Sequence, residues 1–387
     1  MKLLLNTLLL LCFSFVFCQQ TGLMFSVLDA ENGLPLANAK IITNNQVIYT
    51  NDDGKAVVSE NEKSIVVSAP TYLEQKIIPF NTNTIVIKLK PIYKNIDEVQ
   101  IIDIDVKQLF KNILTDYLKL YYSKPSLFYG TIKQKAYMNG QINNLLVADI
   151  SIWSLVNAYN FNAKDNVDSF IQMGLNNIRY YKTKKYNGDY PFNTDGQLIP
   201  KDFVLKLFFN SELVGVLNSI RDKKIKTKLA YENSDISIFL FEAKNENTND
   251  LYKGKFIYSK NDKLITYFDI NAEGYENILR NKNKNGDEYS VITTGSYLSY
   301  DFYKNNNRYI PASVRTRAKG YTTYKNNKIP FEATQEINFN QFLESNKKGI
   351  KNKIDLTKGL TDNIPDKEIK ESKLLLSTEE KQFINEP

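Results

Sequence analysis

Histidine is absent from all 387 residues, and cysteine occurs only at Cys12 and Cys18. Without histidine the chain lacks the commonest general base and the commonest metal ligand. With no cysteine past residue 18, the body of the chain has no thiolate nucleophile and no zinc-thiolate site. A Ser-His-Asp triad cannot be assembled. Walker A, GxGxxG and G-x-S-x-G patterns are missing too, which removes support for nucleotide binding and α/β-hydrolase chemistry. The sequence therefore assigns no catalytic residue, no metal ligand and no cofactor. Tryptophan occurs once, as Trp153.

Long apolar runs are also missing beyond the N-terminus. Residues 3–17 are apolar except for Asn6, Thr7 and Ser14, and they follow Lys2. A run of about fifteen residues is short for a membrane span, which takes about 20, and reads instead as a signal peptide over 1–18. Val16 and Cys18 fit the −3 and −1 positions of a signal peptidase site, so the mature chain is expected to begin near Gln19. The competing reading lipidates Cys18; Phe17 counts against it, being large where a lipobox takes a small residue. The expected location is the periplasm or the outer membrane, as a soluble or peripheral protein.

Charge is nearly balanced, with 50 Lys and Arg against 43 Asp and Glu. The densest basic stretch, residues 221–228, reads as a solvated helix end entering a strand, with an anionic lipid or polyanion surface as the alternative. No base-reading motif accompanies it, so no nucleic-acid partner is expected.

What is present is strand signal punctuated by turn residues. In residues 20–101, short β-prone runs at 25–28, 39–42, 47–50, 56–58, 64–68, 75–78 and 84–89 are separated by Asn32-Gly33, Asp53-Gly54, Pro70 and Asn81-Thr82-Asn83. Asn32-Gly33 suits positive φ and predicts a hairpin joining the first two runs. Such spacing, without a long amphipathic helix, indicates a β-sandwich. Asp52-Asp53-Gly54 supplies too few oxygens for calcium and reads as an Asx-type turn. The order of these runs and turns, closing on Ile96 to Ile101, resembles the carboxypeptidase-regulatory-like module found at the N-termini of many Bacteroidetes envelope proteins. Phe25 and Thr71 stand where that pattern usually has Gly, and Ala56 where it usually has a large aromatic. The resemblance implies a β-sandwich fold and an envelope setting. It brings no peptidase domain.

Residues 102–126 read as a helical linker, with Leu109, Ile113, Leu114, Tyr117, Leu118 and Tyr121 at helical spacing before Pro125. Residues 127–345 read as an antiparallel β domain. A long hairpin turns at Asn139-Gly140, and later strands fall at 227–231, 236–243, 251–259, 264–270, 288–303, 308–324 and 329–342. A helical insertion is expected near 165–224. One stripe is Val167, Phe170, Ile171, Gly174, Leu175 and Ile178 behind Asp165; Phe203, Leu207 and Phe208 follow Pro200; Leu213, Leu217 and Ile220 follow a cap at Ser211. The fold class is thus mainly β: an N-terminal β-sandwich plus a larger curved antiparallel sheet or half-barrel with a helical insertion. In layout the larger part resembles the half-barrels of lipoprotein-sorting carriers. Residues 346–387 form a Lys-rich tail whose Ser377 and Glu380 make a capping box for a short docking helix, or alternatively a recruitment peptide.

With 25 tyrosines and 22 phenylalanines, aromatic side chains are the strongest candidate binding groups. Trp153, Phe239, Phe241, Tyr258, Tyr267, Tyr297 and Tyr300 are the candidate ligand contacts, and a helix-covered core is the competing account of them. Asp149, Glu242, Asp269 and Glu273 are the carboxylates that a glycosidase-type pair would draw on. The expected function is a non-enzymatic exported envelope protein that binds a lipid-like ligand or a partner protein at the outer membrane. A carbohydrate-binding or carbohydrate-active protein, and a structural adaptor without ligand, remain as alternatives.

Overall fold

The computed structural model describes residues 22–44, 46–59, 64–78, 84–92, 100–101, 104–163, 165–184, 206–245, 248–283, 285–305, 308–346, 348–364 and 375–386. The expected signal peptide, with Cys12 and Cys18, lies outside these residues. The chain divides into two compact units, residues 1–91 and 92–387.

The first unit is built from β1 (Gly22–Asp29), β2 (Lys40–Ile42), β3 (Val47–Tyr49), β4 (Lys55–Ser59), β5 (Ile65–Ser68), β6 (Gln75–Ile77) and β7 (Thr84–Leu89). They form two sheets, of order β4-β1-β7 and β3-β2-β5-β6. Leu23, Phe25 and Val27 alternate inward along β1 and meet Ile41, Ile65 and Val67 from the other sheet in one buried cluster. The sandwich is as expected, but the β1–β2 hairpin is not. Asn32-Gly33 does turn the chain, with Gly33 at φ 73° donating to Asp29 O at 3.0 Å. Past the Leu28–Pro35 bridge, however, the chain crosses to the second sheet, where β2 pairs with β3 and β5. A turn dipeptide fixes a reversal only; burying Ile41 against Phe25 selects the sheet.

Asn51 builds the expected Asx turn, its side chain accepting from the amides of Asp53 at 3.1 Å and Lys55 at 3.0 Å. Gly54 at φ 70° is required there, because a Cβ would stand 2.6 Å from Val27 O. Residues 69–72 form a second tight turn: Tyr72 N donates to Ala69 O at 3.0 Å, Pro70 follows Ala69, and Thr71 sits at φ 71°. That is type II geometry, which favours glycine at the position Thr71 occupies.

The second unit begins with β8 (Gln100–Ile101), α1 (Val106–Thr115) and α2 (Tyr117–Leu120). Long strands follow: β9 (Ser126–Met138), β10 (Gln141–Ser154) and β11 (Ile171–Thr183). After α3 (Phe209–Ser219) come β12 (Lys224–Glu232), β13 (Ile236–Lys244), β14 (Leu251–Ser259), β15 (Leu264–Lys282), β16 (Glu288–Asn305), β17 (Arg308–Tyr324) and β18 (Asn327–Glu344), then α4 (Thr378–Asn385). One curved, open sheet of order β11-β10-β9-β18-β17-β16-β15-β14-β13-β12-β8 holds all the strands, and it closes no barrel. The meander follows from its turns: Asn139 and Gly140 at φ 50° and 75°, and Lys325 and Asn326 at 44° and 65°, match the positive-φ pairs that join twisted antiparallel strands.

The helical reading of residues 167–178 is corrected by the structure. Residues 171–183 are β11, paired with β10 along its length. Its inward side chains Met173, Leu175 and Ile178 face Ile152, Ile150 and Ala148, and two register shifts make Asn176 and Arg179 supernumerary. Bulges stretch the alternation to intervals of three, which imitates a helical stripe. The insertion's one α-helix among the described residues is α3, beside a 3-10 turn at Val167–Ser169, and Ser211 lies inside α3 rather than capping it; Phe208 is the N-cap, without a side-chain bond.

Candidate functional site

The concave face of the sheet is the natural place to look for a binding cavity, and aromatic rings occupy it. Phe239, Phe256, Phe268 and Tyr300 stand side by side on four successive strands, set by direct register. Into this row α1 inserts Phe110, whose ring meets those of Phe241, Phe256 and Phe268 edge-on at 5.8, 5.5 and 5.8 Å. Val106, Phe110 and Ile113 share the buried stripe of α1, which Asp105 caps by accepting from Gln108 N at 3.0 Å. Beside α1, α3 inserts Phe209 against Phe268, Tyr300 and Phe302 at 5.6, 5.1 and 5.3 Å.

Hydrogen bonds pin the fill in place. Tyr121 OH donates to Ile265 O at 2.8 Å and accepts from Ile265 N at 3.2 Å, and Tyr300 OH donates to Lys206 O. Burial pushes the phenols of Tyr117, Tyr121 and Tyr300 well above their ordinary range, so they remain neutral donors. Burial likewise raises the Glu212 carboxyl at the start of α3, with Lys206 partly opposing it. One cavity among the described residues, of about 30 Å³, lies between α2, α3 and the strand ends and is touched by Tyr117, Tyr121, Phe209, Phe302, Ser154 and Asn157. That is about the volume one water occupies, against about 300–1,000 Å³ for a small-molecule pocket.

The convex face is a polar layer. Lys255 Nζ lies 3.2 Å from Asp269 and 5.3 Å from the Tyr267 ring centre; Tyr267 OH is 3.5 Å from Tyr297 OH, and the Arg317 guanidinium lies over the Tyr297 ring at 5.6 Å. Burial raises the Asp269 carboxyl, with Lys255 opposing it, and burial together with Asp269 raises the Tyr267 phenol. The same layer carries Arg315 against Glu336 at 3.5 Å.

The candidate ligand contacts therefore do not converge. Phe239, Phe241, Tyr258 and Tyr300 pack in the concave core. Tyr267 and Tyr297 belong to the convex layer, and Trp153 is buried with its Nε1 donating to Asn346 O at 2.8 Å. Of the four candidate acids, Asp149 pairs with Arg179 at 2.7 Å, Asp269 with Lys255 and Glu273 with Lys319 at 3.1 Å, while Glu242 stands between Lys226 and Lys253 in register. Among the described residues no group of three or more acids is placed to hold a metal ion. The sequence reading missed Phe110 and Phe209, the two rings that fill the concavity. The spacing of Val106, Phe110, Ile113 and Tyr117 carries that signal for α1, whereas nothing local marks Phe209.

No family model matches the chain, and no curated protein matches it. Among solved structures, a LolA superfamily protein from Nitrosomonas europaea is similar at 9% identity, over 61% of this chain and 93% of that one, with a TM-score of 0.22. A Bacteroides fragilis protein of unknown function, provisionally described as membrane-associated, is similar at 8% identity over 84% of this chain and 98% of that one, with a TM-score of 0.16. Likeness at this level leaves function to be argued from the chain's own residues. No helix among the described residues is long and apolar enough to cross a membrane.

Proposed function

We propose that the chain is a non-enzymatic, exported cell-envelope protein whose first unit is a carboxypeptidase-regulatory-like module and whose larger unit binds a partner protein through its exterior. The observation that carries the reading is the filled concavity. With Phe110 and Phe209 seated on the aromatic row, and a cavity of about 30 Å³ beside them, an acyl chain would have to displace those rings to reach the row. The lack of histidine supports the non-enzymatic part, as does the engagement of Asp149, Asp269 and Glu273 with cations.

A second reading, a hydrophobic ligand admitted when helices withdraw, is favoured by one feature. The fill comes from helices, not from a second sheet, so ligand and helix would compete for the same apolar face. The deciding experiment purifies the protein from native envelopes with chemical crosslinking and extracts it for lipid. A crosslinked protein partner with no bound lipid supports the first reading. Stoichiometric lipid in the extract overturns it in favour of the second.

A further inference from the structure

The sheet leaves one long strand edge open. Pairing of β15 with β14 stops at Glu273, opposite Leu251, where Gly274 turns to φ 77° and a bulge follows. Pairing with β16 resumes at Asn277, and residues 277–282 continue for about 20 Å as a strand whose described partner is β16 on one side. No other described strand neighbours that edge. At its tip Asn283 accepts from the amides of Asn285 and Asp287 at 2.9 Å each, and Tyr324 OH donates to Asp287 at 2.8 Å.

Exposed strand edges are normally protected by proline, lysine on the edge, or brevity. This one has a bulge before it and Lys282 at its far end but no proline, and at its centre Ile278 and Leu279 are 48% and 56% exposed. Ile278 and Arg280 share one face, and Glu276, the last residue of the bulge, reaches the same face, where Tyr321 OH, in line with Ile278 across β16, donates to it at 3.0 Å. Arg280 has no carboxylate partner among the described residues, whereas Lys282 is already 3.5 Å from Glu288.

We propose that residues 275–281 pair antiparallel with the same residues of a second copy of this chain, about a two-fold axis at Ile278. That register sets Ile278 against Ile278 of the second copy and Glu276 against its Arg280, and by symmetry the reverse. The edge is thus self-complementary in shape and in charge, as an isologous contact requires. Each chain's sheet continues into the other's, and the open amides and carbonyls of both edges find partners. The contact is independent of what the larger unit binds elsewhere, so it stands or falls separately from the proposed function.

Sedimentation velocity of the mature chain across a concentration series tests it, with charge reversals as probes. Glu276→Arg sets like charges opposite at two symmetric points, and so does Arg280→Glu; each is expected to raise the dimer Kd by about tenfold or more. The double variant Glu276→Arg/Arg280→Glu restores the opposite pairing and is expected to return Kd to within a few-fold of the parent. Both positions are exposed, so unchanged circular dichroism and thermal midpoint serve as the folding control. A parent that stays monomeric throughout, or a dimer indifferent to the single reversals or not rescued by the double, overturns the proposal.

Discussion

Replacing Glu380 by Ala is expected to release the C-terminal helix while leaving the sheet folded. Glu380 is fully buried, its carboxylate 2.9 Å from Lys133 Nζ and 3.3 Å from Lys135 Nζ, and those lysine side chains are only 17% and 10% exposed. It also closes the capping box of α4, accepting from Ser377 N at 2.9 Å while its own amide donates to Ser377 Oγ at 3.3 Å. Apart from these bonds, α4 is held mainly by Leu376 and Phe383 against Ile142, Leu145 and Val147, and by Lys182 donating to the last carbonyls. Two such apolar side chains contribute about 1.5–3 kcal/mol each before the entropy of ordering the segment is subtracted. Stranding two buried lysines costs about 3–5 kcal/mol, and the lost cap about 1 kcal/mol more. The penalty exceeds what docking can retain, so the helix leaves and the lysines become solvated.

Hydrogen exchange read by mass spectrometry is the assay: amides of residues 378–385 lose protection in the variant while those of β9 and β10 keep theirs. Parent-like protection of α4 in Glu380→Ala would refute the reasoning. A pH titration of the parent makes the same point. Burial pushes the Glu380 carboxyl up, but Lys133 and Lys135 more than offset it, and the net shift is downward from 4.5. A lowered folded pKa stabilises docking above the unfolded value, and that contribution disappears as pH falls through the folded value. The helix therefore holds at neutral pH and lets go in acid.

Other consequences are equally direct. Thr71→Gly relieves a β-branched residue at φ 71° and is expected to stabilise the N-terminal unit by about 1 kcal/mol, raising its calorimetric midpoint by about 4–8 °C; a lower midpoint contradicts the type II assignment. Phe209→Ala is expected to cost about 3–5 kcal/mol and to enlarge the small cavity, so that benzene raises the thermal midpoint of the variant but not of the parent. Phe209→Leu provides a milder version should the alanine variant fail to fold; no benzene response in either argues against the packed concavity. Asp269 has a raised folded pKa, so its contribution to stability grows as pH falls through that value; Asp269→Asn should flatten this part of the stability profile, measured by urea titration at a series of pH values.

The sequence made some elements legible and hid others for identifiable reasons. Asn139-Gly140 marks a hairpin because positive φ at two adjacent residues is a local requirement; Asn326-Asn327 marks the β17–β18 turn too, but the positive-φ pair there is Lys325 and Asn326, one residue earlier. The capping box at Ser377 and Glu380 is local in the same way, and it is present as expected. By contrast β11 reads as a helix because its bulges at Asn176 and Arg179 answer to β10, about thirty residues earlier, and no window around residue 175 contains that information. The aromatic residues were visible as a class but not by face. A bulge of one residue transfers every later side chain across the sheet, so Tyr267 and Tyr300 could be assigned to opposite faces only once pairing was known. The buried environment of Glu380 was out of reach for the same reason, since Lys133 and Lys135 lie almost 250 positions away.

Two exposed strand edges of the sheet, β11 at its end and the overhang of β15 past β14, are treated differently, and the contrast bears on where this molecule makes contact. At β11 the chain supplies its own cover. Ile354 N donates to Met173 O at 2.8 Å, Ile350 N to the Gln172 side chain at 2.9 Å, and Lys182 reaches the carbonyls of Ile384 and Glu386. Segments on both sides of residues 365–374 thus converge on one strand edge. Nothing described does this for residues 275–282, although that stretch carries more exposed apolar surface, at Ile278 and Leu279. Unpaired strand edges template further pairing, and a chain that covers one edge with its tail faces the same physical pressure at the other. Pairing with a second copy satisfies that pressure without any added segment, and it requires only that opposite charges meet across the axis. Glu276 and Arg280, two residues to either side of Ile278, meet that requirement, and so the far end of β15 is a surface on which this fold can pair with its own copy, separate from the filled concavity.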